Sequence, residues 1–171
     1  MRRFLLSGFV LLIFLFWACA PKEAKIEILS FSVADSIRIH DPDGDPTNSW
    51  LGGSDTVITW DSTLFSIKVK YEGPAVGYLD EIIWVLKSPS GEQIKTYEAI
   101  LYPPIPMEDG QIRDLKFYIS FDNKSAYRID SLYDDTLNYF GIGRVTFYIT
   151  GTTYAQYIRS DNISFDLKFI P

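Results

Sequence analysis

The chain has 171 residues, 47% of them hydrophobic and 16% aromatic, with 22 acidic against 16 basic residues and a formal net charge of −6. That length suits one domain with a substantial core, and the acidic balance disfavours nucleic acid and anionic lipid head groups. A single cysteine rules out an intrachain disulfide and a multi-Cys metal centre, and any Ser-His-Asp triad or His-ligated metal would have to rest on His40 alone.

The chain begins Met1-Arg2-Arg3 and then runs uncharged from Phe4 to Ala18, just before Cys19. A basic start, an apolar run and a small residue are the layout of an export signal. The run is shorter than the ~20 apolar residues that usually span a bilayer, which leaves an uncleaved signal anchor as the alternative. The residues "FWAC", Phe16 to Cys19, resemble the lipobox of bacterial lipoproteins. That resemblance implies a signal peptide at 1–18, lipid (including palmitate) on Cys19, and a short tether at 19–24. Because Ala20 and not Asp follows the cysteine, it also implies the outer membrane of a two-membrane cell. Removing Arg2 and Arg3 with the signal leaves 14 basic against 22 acidic residues, a net charge of −8. Membrane attachment would then come from lipid and not from a basic patch. No cysteine remains for a nucleophile.

From Ala24 onward the dominant period is two, the mark of strands with one dry face. "KIEILSFSVAD" places Ile26 and Ile28, then Phe31 and Val33, on one face only if a bulge falls near Leu29-Ser30. Next comes "HDPDGDPTNSW", in which Asp41, Asp43 and Asp45 alternate along a turning segment with Asn48 beside them. Such oxygens can converge on Ca2+, which takes about six to eight of them. The alternative is a solvated turn whose side chains bond their own backbone. The EF-hand pattern does not fit, since Gly52 stands where its bidentate Glu belongs.

A weak strand is predicted at 56–60 and clear ones at "TLFSIKVKYE" (63–72), "DLKFYISF" (114–121), "GRVTFYIT" (143–150) and "NISFDLKFI" (162–170). "EIIWVLK", 81–87, is apolar throughout its middle and reads as a central strand covered on both faces. "SPSG" joins it to a strand at 92–101 as a hairpin. The prolines of "YPPIPMEDG" predict an irregular crossing at 102–111. A short helical turn is expected within 125–137.

Seven to eight strands with turns between them predict an all-β, antiparallel sandwich at 25–171, with a small barrel as the alternative. Trp84 within "IIWVLKSPSG", the closing segment 141–169 and "DPDGDP" resemble bacterial immunoglobulin (Ig)-like and fibronectin type III-like modules, including PKD-type ones. The Ig cysteine pair is absent. A fold of this kind does not specify a function. Trp50, Trp60, Tyr154 and Tyr157 sit near loops and are candidates for an aromatic platform of the kind that stacks sugars, although most strand aromatics pack into cores. Acidic residues are spread evenly, and no pair stands out for glycan hydrolysis. The expectation is therefore a membrane-anchored envelope lipoprotein acting as a non-catalytic binding or scaffolding module, with an envelope protein or glycan as partner. The alternatives are a carbohydrate-binding module and, behind it, a two-carboxylate glycan hydrolase.

Overall fold

The computed structural model describes residues 22–38, 60–133, 141–154 and 156–170. Within them the period-two segments are strands whose alternate residues point into one core. On β3 (Trp60–Glu72), Phe65, Ile67, Val69 and Tyr71 are buried while Leu64 and Lys68 face out. The other strands are β1 (Lys25–Val33), β2 (Ser36–Arg38), β4 (Gly77–Lys87), β5 (Gln93–Met107), β6 (Ile112–Asp122), β7 (Gly141–Thr153), β8 (Tyr157–Arg159) and β9 (Ile163–Ile170), with helix α1 (Asn123–Tyr133) between β6 and β7.

Two sheets form an Ig-like β-sandwich. One has the order β1-β3-β6, and the other β2-β9-β7-β4-β5, with β8 also paired to β7. Among the described residues the strands number nine and not seven to eight, because two three-residue strands are too short to show a period. The pairing is not wholly antiparallel either. β2 lies parallel to β9, with Ile37 opposite Phe169. The chain steps from one sheet to the other at Ala34-Asp35 without reversing, and the Asp35 carbonyl accepts the Lys168 amide at 3.1 Å.

β1 shifts register between Ile28 and Ser30, which keeps Ile26, Ile28, Phe31 and Val33 opposite Tyr71, Val69, Ile67 and Phe65. Leu29, the extra residue, is exposed. The Ser88–Gly91 turn closes as a hairpin, with the Gly91 amide on the Ser88 carbonyl at 2.9 Å.

Two expectations need correction. The 102–111 segment is not an irregular crossing, because β5 continues to Met107 and Pro106 pairs with Tyr78. β5 lies at the rim of its sheet and needs partners on one side only. Between Ile100, opposite Glu81, and Ile105, opposite Leu79, the strand bulges and takes up Pro103 and Pro104 without a ladder bond. β4 is central, between β5 and β7, but only one face is fully covered. Leu79, Ile82, Trp84 and Leu86 are buried, whereas Ile83 and Val85 are half-buried beside the cross-strand neighbours Glu98, Tyr148, Thr96 and Thr146.

The sheets meet through aromatic rings. Phe65 of β3 lies 4.7 Å from Phe147 of β7 and 5.6 Å from Phe165 of β9, and Phe117, its neighbour in its own sheet, lies 5.9 Å from Phe147. Trp84 stacks on Tyr97 at 5.8 Å and donates its indole N–H to the Ser120 carbonyl across the sandwich at 3.3 Å. Helix α1 closes the end beyond β6. Its Ala126 and Ile129 are fully buried, and Ile129 rests over Gly143, where a Cβ would come within 2.9 Å of the Ile129 Cδ1.

Asp122 starts that helix. Its Oδ1 accepts the Ser125 amide at 2.8 Å, three residues into the helix, as a capping residue does. Lys95 closes on the other oxygen, and the Tyr97 and Ser125 hydroxyls bond at 2.7 Å. Burial pushes the Tyr97 hydroxyl up to about 12. Burial also pushes the Asp122 carboxyl up, but Lys95 and the amide and hydroxyl of Ser125 together outweigh it and hold the group below its usual value.

Trp84→Ala is expected to cost ~3–5 kcal/mol by denaturant unfolding, the usual loss for a buried Trp. A cost under ~0.5 kcal/mol is the surface value and contradicts this packing. Asp122→Ala is expected to cost ~0.5–2 kcal/mol at neutral pH, as lost caps do. A carboxyl with a depressed folded pKa stabilises above its unfolded value and loses that contribution as the pH falls through the folded one. The gap between Asp122→Ala and the parent should therefore narrow once the pH passes below the ordinary carboxylate value of 3.8. A pH series of unfolding midpoints checks this.

Candidate functional site

The sandwich has a second, unlike end, built by tight loops and the entering chain. "YEGPAVG", Tyr71 to Gly77, turns from β3 into β4 around the ring of Tyr71. Tyr71 is wholly buried, and its hydroxyl donates to the Ala75 carbonyl at 2.8 Å. The loop passes so close to the ring that only glycine fits on either side. A Cβ on Gly73 would lie 2.1 Å from the Tyr71 hydroxyl oxygen, and one on Gly77 would lie 2.5 Å from a ring carbon. Burial raises the Tyr71 pKa.

The turn between β5 and β6 docks beside this loop. The Gly110 amide donates to the Tyr71 carbonyl at 2.8 Å, and the Asp109 carboxylate accepts the Gly73 amide at 3.0 Å. Asp109 also receives the Lys22 ammonium, at 2.5 Å. First Lys22 and then the Gly73 amide hold its carboxyl below the usual range. Lys22 is the first described residue, so this contact ties the entering chain to the loops. Ala24 and Ile26 follow it into the core.

A cleft of about 600 Å³ opens at this end, walled by Ala24, Pro74, Ala75 and Tyr154 with Lys22 and Thr153 at its rim. Tyr154, at the β7–β8 turn, is 98% exposed, and Tyr157 is 64% exposed. Between its two sides the Thr153 amide donates to the Gln156 carbonyl at 2.8 Å. A shallower polar groove crosses the three-stranded sheet between Ser30, Ser32, Ser66, Lys68, Asp114 and Lys116.

Of the residues singled out by sequence, Cys19, His40, Asp41, Asp43, Asp45, Asn48 and Trp50 lie outside the described residues. Trp60 opens β3 opposite Asp122, at the α1 end. Twelve residue steps of ~3.3 Å put its backbone ~40 Å from Glu72 at the far end of the strand. Tyr154 and Tyr157 lie by that far end, so the expected platform is divided between the two ends of the sandwich. Among the described residues, no group of three His, Cys, Asp or Glu side chains is placed to hold a metal. Sequence reasoning missed the joint of Lys22, Gly73 and Asp109, whose partners are far apart in the chain. The paired glycines of "GPAVG" were its one local signal.

Gly77→Ala should force the Tyr71 ring to move and cost ~1–3 kcal/mol, the usual range for overpacking. Adding Tyr71→Ala should remove most of the clash, so the double variant should fall short of the two single losses added together. Strict additivity in a double-mutant cycle contradicts the contact.

No family model matches the sequence, and no curated protein matches it either. Solved structures do resemble the fold. The C-terminal domain of wzt superimposes with a TM-score of 0.52 at 14% identity, over 88% of this chain and 78% of that one. A protein from Archaeoglobus fulgidus does so with a TM-score of 0.50 at 10% identity, over 84% of this chain and 97% of that one. At such identities the likeness extends to the β-sandwich fold and stops there.

Proposed function

We propose that the chain is an exported lipoprotein, held by acyl chains on Cys19, whose sandwich serves as a non-catalytic binding or scaffolding module at the cell envelope. The observation that carries this reading is the position of the cysteine. Cys19 directly follows an uncharged run that is itself preceded by two arginines, and three residues later the chain reaches Lys22. There it is tied to Asp109 at one end of the sandwich. Cleavage before Cys19 would remove the apolar run and leave a thiol and an amino group for lipid. Two or more acyl chains hold stably where one does not, at ~0.8 kcal/mol per buried methylene. Ala20 after the cysteine favours the outer membrane.

Cells fed labelled palmitate should incorporate it into the parent protein, which should partition into detergent. Cys19→Ser should abolish both and leave the unfolding midpoint unchanged, because Cys19 lies ahead of the sandwich expected at 25–171. Mass spectrometry that finds an unmodified Cys19, or cleavage at another site, overturns the proposal.

A further inference from the structure

We infer that the 73–76 loop and the neighbouring residues Tyr154 and Tyr157 seat the sandwich on a zwitterionic phospholipid surface, with Tyr154 and Val76 at the interface. The inference rests on the lipidation of Cys19 proposed above. It adds a defined face of the domain and a defined orientation.

Reach is the first argument. Lys22 lies three residue steps after Cys19, and an extended chain covers at most ~11 Å in that length. The head-group layer on each side of the hydrocarbon is itself ~5–8 Å thick. The chain enters the fold at a fixed place, because Lys22 is held by Asp109, Ala24 is buried and Ile26 pairs with Tyr71. A lipid-bearing Cys19 therefore brings this end into contact with head groups and holds the α1 end ~40 Å farther out, the length of β3.

Surface chemistry is the second. Tyr154 is 98% exposed and Val76 43% exposed, and Pro74 and Ala75 stand exposed beside them. A tyrosine with an apolar ring and a polar tip suits the boundary between water and hydrocarbon. Charge selects the kind of lipid. The lysines at this end face carboxylates of the same domain: Lys22 meets Asp109, and Lys25 and Lys70 both meet Glu72. Arg159 is held by Asn162 and the Tyr148 ring, and with Glu23, Glu72 and Asp109 at the same end these cations make no basic patch for anionic lipid. A neutral head-group surface is the one that fits.

The test uses the full chain, processed in cells and reconstituted in vesicles of phosphatidylethanolamine and phosphatidylcholine. Two reporters carry a thiol-reactive nitroxide: Gln156→Cys beside Tyr154, and Ser90→Cys in the β4–β5 turn at the other end. Acylation blocks the Cys19 thiol, so each chain should take up one label. Collisions of the 156 label with a water-soluble nickel complex should fall severalfold below those of the 90 label. Adding Tyr154→Ser should raise them again. Single labelling with equal nickel access at both positions overturns the seat and leaves lipidation standing. Two labels per chain mean a free Cys19 thiol, which overturns the anchor and the seat together. Protection of the 156 label by cell-wall glycan, in the Cys19→Ser form without lipid, overturns the seat in favour of a sugar site.

Discussion

Phe65 and Phe147 touch where the middle strand of one sheet faces the middle region of the other, and the remaining packing is arranged around that contact. An Ig domain of antibody type ties its sheets at this level with a disulfide. A disulfide contributes ~2–4 kcal/mol, largely by restricting the unfolded chain. Here four ring pairs cross between the sheets: Phe65 meets Phe147 and Phe165, Phe31 meets Phe165, and Phe117 meets Phe147. Each such pair is worth ~0.5–1.5 kcal/mol beyond its buried area. Four of them reach the same order as the missing bridge. The join between the sheets therefore rests on apolar packing and is indifferent to the redox state of the compartment.

That central join leaves the two ends free to differ. At one, the Asp122 carboxylate and Lys95 start a helix whose Ala126 and Ile129 plug the core. At the other, the 73–76 loop is drawn tight over Tyr71, and the entering chain is clipped to Asp109. Neither end repeats the other, so the sandwich has a polarity. An attached chain that leaves from the Asp109 end fixes which way the helix points.

Much of the fold was legible because a half-buried strand must alternate. Phe65 to Tyr71, Val145 to Ile149 and Ile163 to Phe169 announced themselves in this way. The change of parity between Ile28 and Phe31 required a bulge, and the register shift lies there. What stayed hidden depended on position in the sheet. Pro103, Pro104 and Pro106 argue against a strand only if both of its edges must pair, and no local pattern says that β5 lies at a rim. β2 has three residues, too few for any period. The site was less legible than the fold. Lys22 and Asp109 are 87 positions apart, and nothing near either residue points to the other. Tyr154 looked like one of several loop aromatics until the fold separated it from Trp60.

The same prolines bear on how copies of the protein behave side by side. A strand at the rim of a sheet offers its amides and carbonyls to any passing chain, and a long one is a template for edge-to-edge association. Chains confined to one surface meet at a raised effective concentration, where weak pairings add up. Along β5 the residues Pro103, Pro104 and Pro106 donate no hydrogen bond, and the 101–104 bulge breaks the straight run that a second strand would need. A neighbour that zipped onto β5 from Gln93 would stall at the bulge after Ile100. The irregularity that disguised this strand as a loop also works against edge-to-edge pairing along the 101–107 part of the rim.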